Sequence, residues 1–191
     1  MKKFLKVSII ILLLIGAFCL YILIFASNLK YSEEIVINQN INAVIDLFDN
    51  PYNMKEYMEG IESYKVLSGK IREVGTKSEI IVSIEDKKII MIEEIITNNL
   101  PEEKKVTYTA DGVYNIVINR FIKVSDNQTK VINDQEFQLE GFMKIMGFFM
   151  SGVFKKQSRI YLTDFKDFAE NRAPCTELCQ KACCLGCKAT D

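Results

Sequence analysis

Hydrophobic and polar residues follow three different patterns along the chain. From Val7 to Ala26 there is no alternation: the run VSIIILLLIGAFCLYILIFA carries no charge. About 20 such residues are what a helix needs to cross a bilayer. Lys2, Lys3 and Lys6 precede the run and Lys30 follows it, a bias that keeps the N-terminus cytoplasmic and sends the rest of the chain outside. A cleaved signal peptide is the alternative, but its apolar core is usually shorter, about 7–15 residues. Phe25-Ala26-Ser27 is a weak cleavage site, and Phe18 before Cys19 is too bulky for a lipid-attachment box. Residues 1–30 are therefore expected to be an uncleaved membrane anchor, making the chain a single-pass membrane protein with an extracytoplasmic domain.

From Tyr31 the period drops to two, the mark of strands with one buried face. Strands are expected at Glu33–Asn38, Ser63–Ser68, Ser78–Glu85, Ile89–Thr97, Lys105–Ala110, Tyr114–Val124 and Thr129–Leu139. Gly69, Gly75, Asp86-Lys87-Lys88, Asn98-Asn99-Leu100-Pro101, Asp111-Gly112 and Ser125-Asp126-Asn127 supply turns between them. Most joins are short, so neighbours should pair antiparallel. Two short helices interrupt the series. Ile41–Phe48 presents Ile41, Val44, Ile45 and Phe48 on one face, with Asn38 or Asn40 as N-cap. Pro51 then opens a second helix through Met58, and Gly60 ends it.

The third pattern, a period of 3.6, governs Phe142–Glu170. Met146, Phe149, Met150, Val153, Gln157, Ile160, Tyr161, Phe165 and Phe168 recur at helical spacing. The first half of this helix is apolar nearly all round and must be covered on every side. Strand, two short helices, six strands and a long helix form an α+β domain, residues 31–170. A curved seven-stranded antiparallel sheet wrapped around the C-terminal helix satisfies each apolar face.

Composition narrows the chemistry. The net charge of −1 gives no pull toward nucleic acid, which is not expected as a partner. There is no histidine, which removes Ser-His-Asp and Cys-His catalysis and the commonest metal ligand. Residues 171–191 form a cysteine-rich tail that holds five of the six cysteines. Cys175, Cys179, Cys183 and Cys187, spaced by four, could complete a tetrahedral thiolate site. Disulfides, which an oxidising compartment favours, and a plain appendage are the alternatives. No cofactor is expected.

Asp46-Leu47-Phe48-Asp49-Asn50-Pro51, Met91-Ile92-Glu93, Asn99-Leu100-Pro101-Glu102-Glu103 and Asn119-Arg120-Phe121 resemble stretches of the helix-grip superfamily. So do Glu136-Phe137, Gly141-Phe142-Met143-Lys144, Met146-Gly147-Phe148 and Phe154-Lys155-Lys156-Gln157. That superfamily includes START domains, the major birch-pollen allergen and polyketide cyclase-like proteins; small bacterial members are the nearer likeness. It implies a cavity between sheet and helix, and it leaves function open because one fold hosts many activities. Ser151-Gly152 stands where relatives often carry proline. The anchor and the tail lie outside the resemblance.

Ile89, Met91, Glu93 and Ile95 share one face of their strand; Ile90, Ile92, Glu94 and Ile96 share the other, and alternation does not choose between them. Tyr108 goes with Val106 and Ala110, Asn115 and Asn119 with Val113, Val117 and Phe121, and Asn133 and Gln135 with Val131, Phe137 and Leu139. Amides and a phenol on apolar walls suit an apolar ligand with a polar end, although such amides also simply face water. Candidate ligand contacts are Met91, Glu93, Tyr108, Asn115, Val117, Phe137, Met146, Phe149 and Met150. An inward Glu93 would have a raised pKa, or would pair with Arg120. Tyr108 could then donate to a ligand carbonyl, although a buried tyrosine more often hydrogen-bonds the protein.

The leading expectation is a membrane-tethered binding or transport module for a hydrophobic small molecule or lipid. Alternatives are a cyclase- or dehydrase-type enzyme using Glu93 and Tyr108 for proton transfer, and a structural partner-binding domain with a filled core. Residues 142–154 are expected either to move as a cover, hinged near Gly147 or Ser151-Gly152, or to form a packed helix end.

Overall fold

The computed structural model describes residues 2–25, 28–84 and 87–172. Helix α1, Lys2–Phe25, is the apolar run. It is long and apolar enough to cross a membrane, a property that a signal sequence shares. The strands are β1 (Leu29–Ile37), β2 (Ile61–Ser68), β3 (Lys77–Ile84), β4 (Lys87–Asn99), β5 (Glu103–Ala110), β6 (Val113–Ser125) and β7 (Gln128–Leu139). They form one antiparallel sheet in the order β1-β7-β6-β5-β4-β3-β2. Short joins make β2 to β7 a meander. β1 closes the far edge by pairing with β7, with Ile35 opposite Val131.

Between β1 and β2 lies α2, Ile41–Asp49, capped by Asn40, whose Oδ1 accepts from the Ala43 amide at 2.9 Å. The second helix is not continuous. A 3-10 turn at Pro51–Asn53 leads into α3, Met54–Tyr57. Asn50 caps that turn, and Asn53 Nδ2 donates to the Leu47 carbonyl at 2.8 Å, tying the two pieces together.

Helix α4, Gly141–Asn171, lies along the inner face of the sheet. Its C-terminal half buries Leu162, Phe165 and Ala169 against Ile37, Val44, Tyr57, Phe121 and Val131. Phe165 is the hub, with ring centroids 4.9 Å from Tyr57 and 5.5 Å from Phe48. Polar ties accompany this packing. Arg159 donates to the buried Glu33 at 2.9 Å, and the Tyr31 and Ser158 hydroxyls lie 2.9 Å apart.

The helix has a different phase from the one expected. At Met150 the backbone (φ −111°, ψ 18°) leaves helical values, and two helical segments meet at a kink. No proline causes it; the Ser151-Gly152 pair follows directly, a common kink composition. Beyond the kink the inward stripe runs through Phe154, Ser158, Leu162, Phe165 and Ala169. Val153 and Ile160, expected inside, are exposed. Gly147, a candidate hinge, is instead a point of close approach. A Cβ there would collide with Leu139 Cδ1.

The stripe predicts a contrast measurable by denaturation in detergent. Phe165→Ala should lose about 3–5 kcal/mol, as buried aromatic truncations do. Val153→Ala should stay within about 0.5 kcal/mol, the range of surface changes.

Candidate functional site

Between the sheet and α4 a cavity of about 330 Å³ remains. One cross-strand row forms its centre: Ser78 on β3, Glu93 on β4, Tyr108 on β5, Asn115 on β6 and Phe137 on β7 are successive register partners. Alternation along each strand puts the flanking inward rows on the same wall. Ile80, Met91, Ala110 and Val113 lie to one side, and Ile95, Val106 and Val117 to the other. Phe154, Tyr161 and Phe165 of α4 roof it. Phe154 packs on Phe137 with centroids 4.9 Å apart.

Glu93 is 7% exposed and holds two phenols. Tyr108 donates to Oε2 at 2.9 Å and Tyr64 to Oε1 at 3.3 Å, while Ser78 donates to the Tyr64 oxygen at 2.8 Å. Burial raises the Glu93 pKa, against the opposing pull of the Tyr108 hydrogen bond and the Lys104 charge. Burial, with Glu93 beside it, pushes Tyr108 well up, and Tyr64 to about 12. All three therefore resist acquiring charge, as groups in a low-dielectric wall do. At one end of the cavity Asp49 accepts from Lys104 at 2.6 Å and pairs with Arg72 at 3.3 Å. On β6 and β7 the amides of Asn115, Gln135, Asn133 and Asn119 bond to one another.

No family model matches the chain, and no curated protein matches it. Solved structures do. The Zhui aromatase/cyclase from Streptomyces sp. R1128 superposes with a TM-score of 0.66 at 11% identity, covering 78% of this chain and 98% of that one. A conserved protein from Geobacillus kaustophilus gives 0.65 at 15% identity, over 75% and 96% of the two chains. Norcoclaurine synthase from Thalictrum flavum, solved with dopamine and hydroxybenzaldehyde, gives 0.57 at 12% identity, over 78% and 90%. The chain has the helix-grip fold.

In this helix-grip domain, Met91, Glu93, Tyr108, Asn115, Val117 and Phe137 all line the cavity. Met146, Phe149 and Met150 do not. The kink turns them away, and Phe149 is 65% exposed. Phe154, absent from the stripe expected from sequence, lines the cavity instead. Glu93 does not pair with Arg120. Arg120 sits one residue from Asn119 and thus on the outer face, where it pairs with Asp134. Tyr108 gives its proton to Glu93, not outward to a carbonyl. Asp49, Arg72, Lys104 and Tyr64 were not anticipated as cavity residues. Alternation from Tyr108 reaches Lys104. Tyr64 escapes that rule because an irregularity in β2 near Ile61–Ser63 brings Ile61 and Tyr64 to the same side. Among the described residues no group of acidic, cysteine or histidine side chains is placed to hold a metal. Cys175, Cys179, Cys183 and Cys187 lie outside the described residues.

Glu93 should make stability fall with pH. Its folded pKa is raised above the ordinary value of 4.5, so between the two values the folded state holds a proton that the unfolded state has lost. Over that window stability should drop by about 1.4 kcal/mol per pH unit, then level off. Glu93→Gln, followed by denaturation across pH 4–8, should abolish that part of the slope.

Proposed function

We propose that the chain is a membrane-tethered binding module for a hydrophobic small molecule or lipid, held between the sheet and α4. The observation that carries this reading is the cavity: apolar walls, with the charged and phenolic groups already paired to the protein. That composition favours an apolar occupant and leaves little polar surface to attract bulk water. The cavity also argues against a purely structural domain with a filled core. Norcoclaurine synthase, a fold neighbour, was solved with small aromatic molecules bound, which agrees with this use of the fold.

Native mass spectrometry after gentle detergent purification should show the chain carrying, or taking up, one apolar molecule. Met91→Trp, which fills the cavity from β4, should weaken uptake at least tenfold while the chain stays folded. A wild-type chain that never takes up lipid would count against the reading.

A route from the bilayer is part of the proposal. Phe18 of α1 lies edge-on to Phe148 and Phe149 of α4, at 6.3 and 6.4 Å between centroids. Lys144 donates to the Leu23 carbonyl near the end of α1 at 3.0 Å. If α1 spans the membrane, these contacts hold the first half of α4 at the bilayer, where exposed Phe142, Phe148, Phe149 and Val153 have an apolar environment. Residues 142–154 then act as a cover that swings at Met150. Hydrogen exchange in vesicles should show protection of 142–154 that changes when lipid is added or removed. Strong, lipid-independent protection would end the cover model.

A second reading rests on Glu93. A buried carboxyl beside two tyrosines has the raised pKa of a proton-transfer group. In that case Glu93→Gln would keep the ligand and lose its turnover.

A further inference from the structure

The charges at one end of the cavity are unequally paired. Of the residues that line it, Asp49, Arg72, Glu93 and Lys104 carry a carboxyl, guanidinium or ammonium group. Three of these meet at one place. Asp49 Oδ1 accepts from Lys104 Nζ at 2.6 Å, and Oδ2 lies 3.3 Å from Arg72 Nε. One carboxylate thus serves two cations, and both of its oxygens are engaged. The cations keep donors in reserve. The largely buried Lys104 spends on Asp49 one of the three N–H groups that an ammonium offers. Arg72 also donates from Nε to the Asp49 backbone carbonyl at 3.1 Å, and its two terminal nitrogens donate to no described residue.

Arg72 is held at this place against its backbone preference. Its φ of 71° is the single positive value outside glycine among the described residues, a left-handed conformation that residues with a Cβ rarely adopt. Asn98 Nδ2 donates to its carbonyl at 2.7 Å and secures the bend. Strain of this kind survives only where the surroundings impose it, and it concentrates at binding sites. The fourth group, Glu93, does not balance the surplus here. It stands opposite Tyr108, four residues along β5 from Lys104, and accepts from Tyr108 and Tyr64. Past that row the lining turns apolar, through Met91, Ile89, Ile84, Ala110 and Val113.

We infer that the cavity takes an apolar chain ending in a carboxylate, whose head pairs with Arg72 and Lys104 while the chain runs past Met91 toward Ile89 and Val113. The inference rests on the binding reading above and adds the ligand's chemical class and its direction. A guanidinium fork matches the two oxygens of a carboxylate. The local surplus of one positive charge answers one negative charge, whereas a phosphate monoester carries about −1.5 to −2. The Arg72 side chain is 46% exposed, so the head keeps part of its hydration and only the chain is fully withdrawn from water. That lowers the cost of taking a charge into the site.

The test is competition against a fluorescent apolar dye on the full chain in a non-ionic detergent, at about pH 8, where a carboxylic acid is ionised. The probes are decanoate, 1-decanol and decyltrimethylammonium. Each probe is compared between the wild-type chain and a variant in the same detergent, so that its partition into micelles cancels. Arg72→Gln should weaken decanoate about three- to tenfold, the scale of one partly exposed charge-assisted pair. It should leave 1-decanol within about twofold and should not weaken decyltrimethylammonium. Arg72→Lys, which keeps the charge without the fork, should recover part of the loss. An unchanged decanoate affinity, or an equal loss for all three probes, overturns the carboxylate assignment and leaves the binding reading standing. Failure of the dye and every probe to bind the wild-type chain overturns both. If the melting profile shows that the Arg72 variants do not fold, salt decides on the wild-type chain. Raising NaCl from about 20 to about 500 mM should weaken decanoate relative to 1-decanol by screening the pair, and an unchanged ratio overturns the assignment.

Discussion

The structure depends on one constraint: a curved sheet with a single apolar face must have that face covered, and among the described elements α4 supplies most of the cover. Its C-terminal half does so by close packing around Phe165, where Phe48, Tyr57 and Phe168 converge. Burying several large aromatics in one place is where most of the hydrophobic stabilisation of such a domain is found. The pair between Arg159 and Glu33 fixes the helix against β1 at the point where this packing ends. The cavity, roofed by Phe154, Tyr161, Leu162 and Phe165 of the same helix, is the space that its apolar grip does not fill.

The polar groups of the cavity wall restrain one another. Glu93 is held by two phenols from different strands, one of which is held by Ser78. In a low-dielectric surround these bonds are strong, and an unpaired member would be correspondingly costly. The network therefore sets ring positions as much as it sets charge. The same logic applies at the cavity end, where Asp49 bridges Lys104 and Arg72. Lys104 Nζ also lies 5.7 Å from the Phe48 ring centroid, which links this charged end to the aromatic core.

The two halves of α4 answer to different surroundings. The C-terminal half obeys the sheet. The N-terminal half faces α1 through Phe148 and Phe149 and leaves Phe142 70% exposed. The kink at Met150 lies between the half that packs on the sheet and the half that meets α1.

Periodicity alone determined the element order, the antiparallel meander and the composition of each strand face, because a period of two is rigidly tied to the pleat. Met91 and Glu93, Tyr108, and Asn115 with Val117 were thus grouped correctly before any fold was known. What alternation does not contain is the sign of each face. Only the position of α4 made those faces inward, and with that Glu93 became buried and Arg120 became external. Helical phase was less legible. The apolar stripe through Val153 and Ile160 is as good a pattern as the true one, since the first half of α4 is apolar all round. Tertiary structure settled it through a kink at Met150 and through Ser158, a polar residue brought inside by the hydroxyl of Tyr31. The partners of Glu93 also come from separate strands, and the irregularity in β2 that delivers Tyr64 breaks the periodicity by which it would have been read.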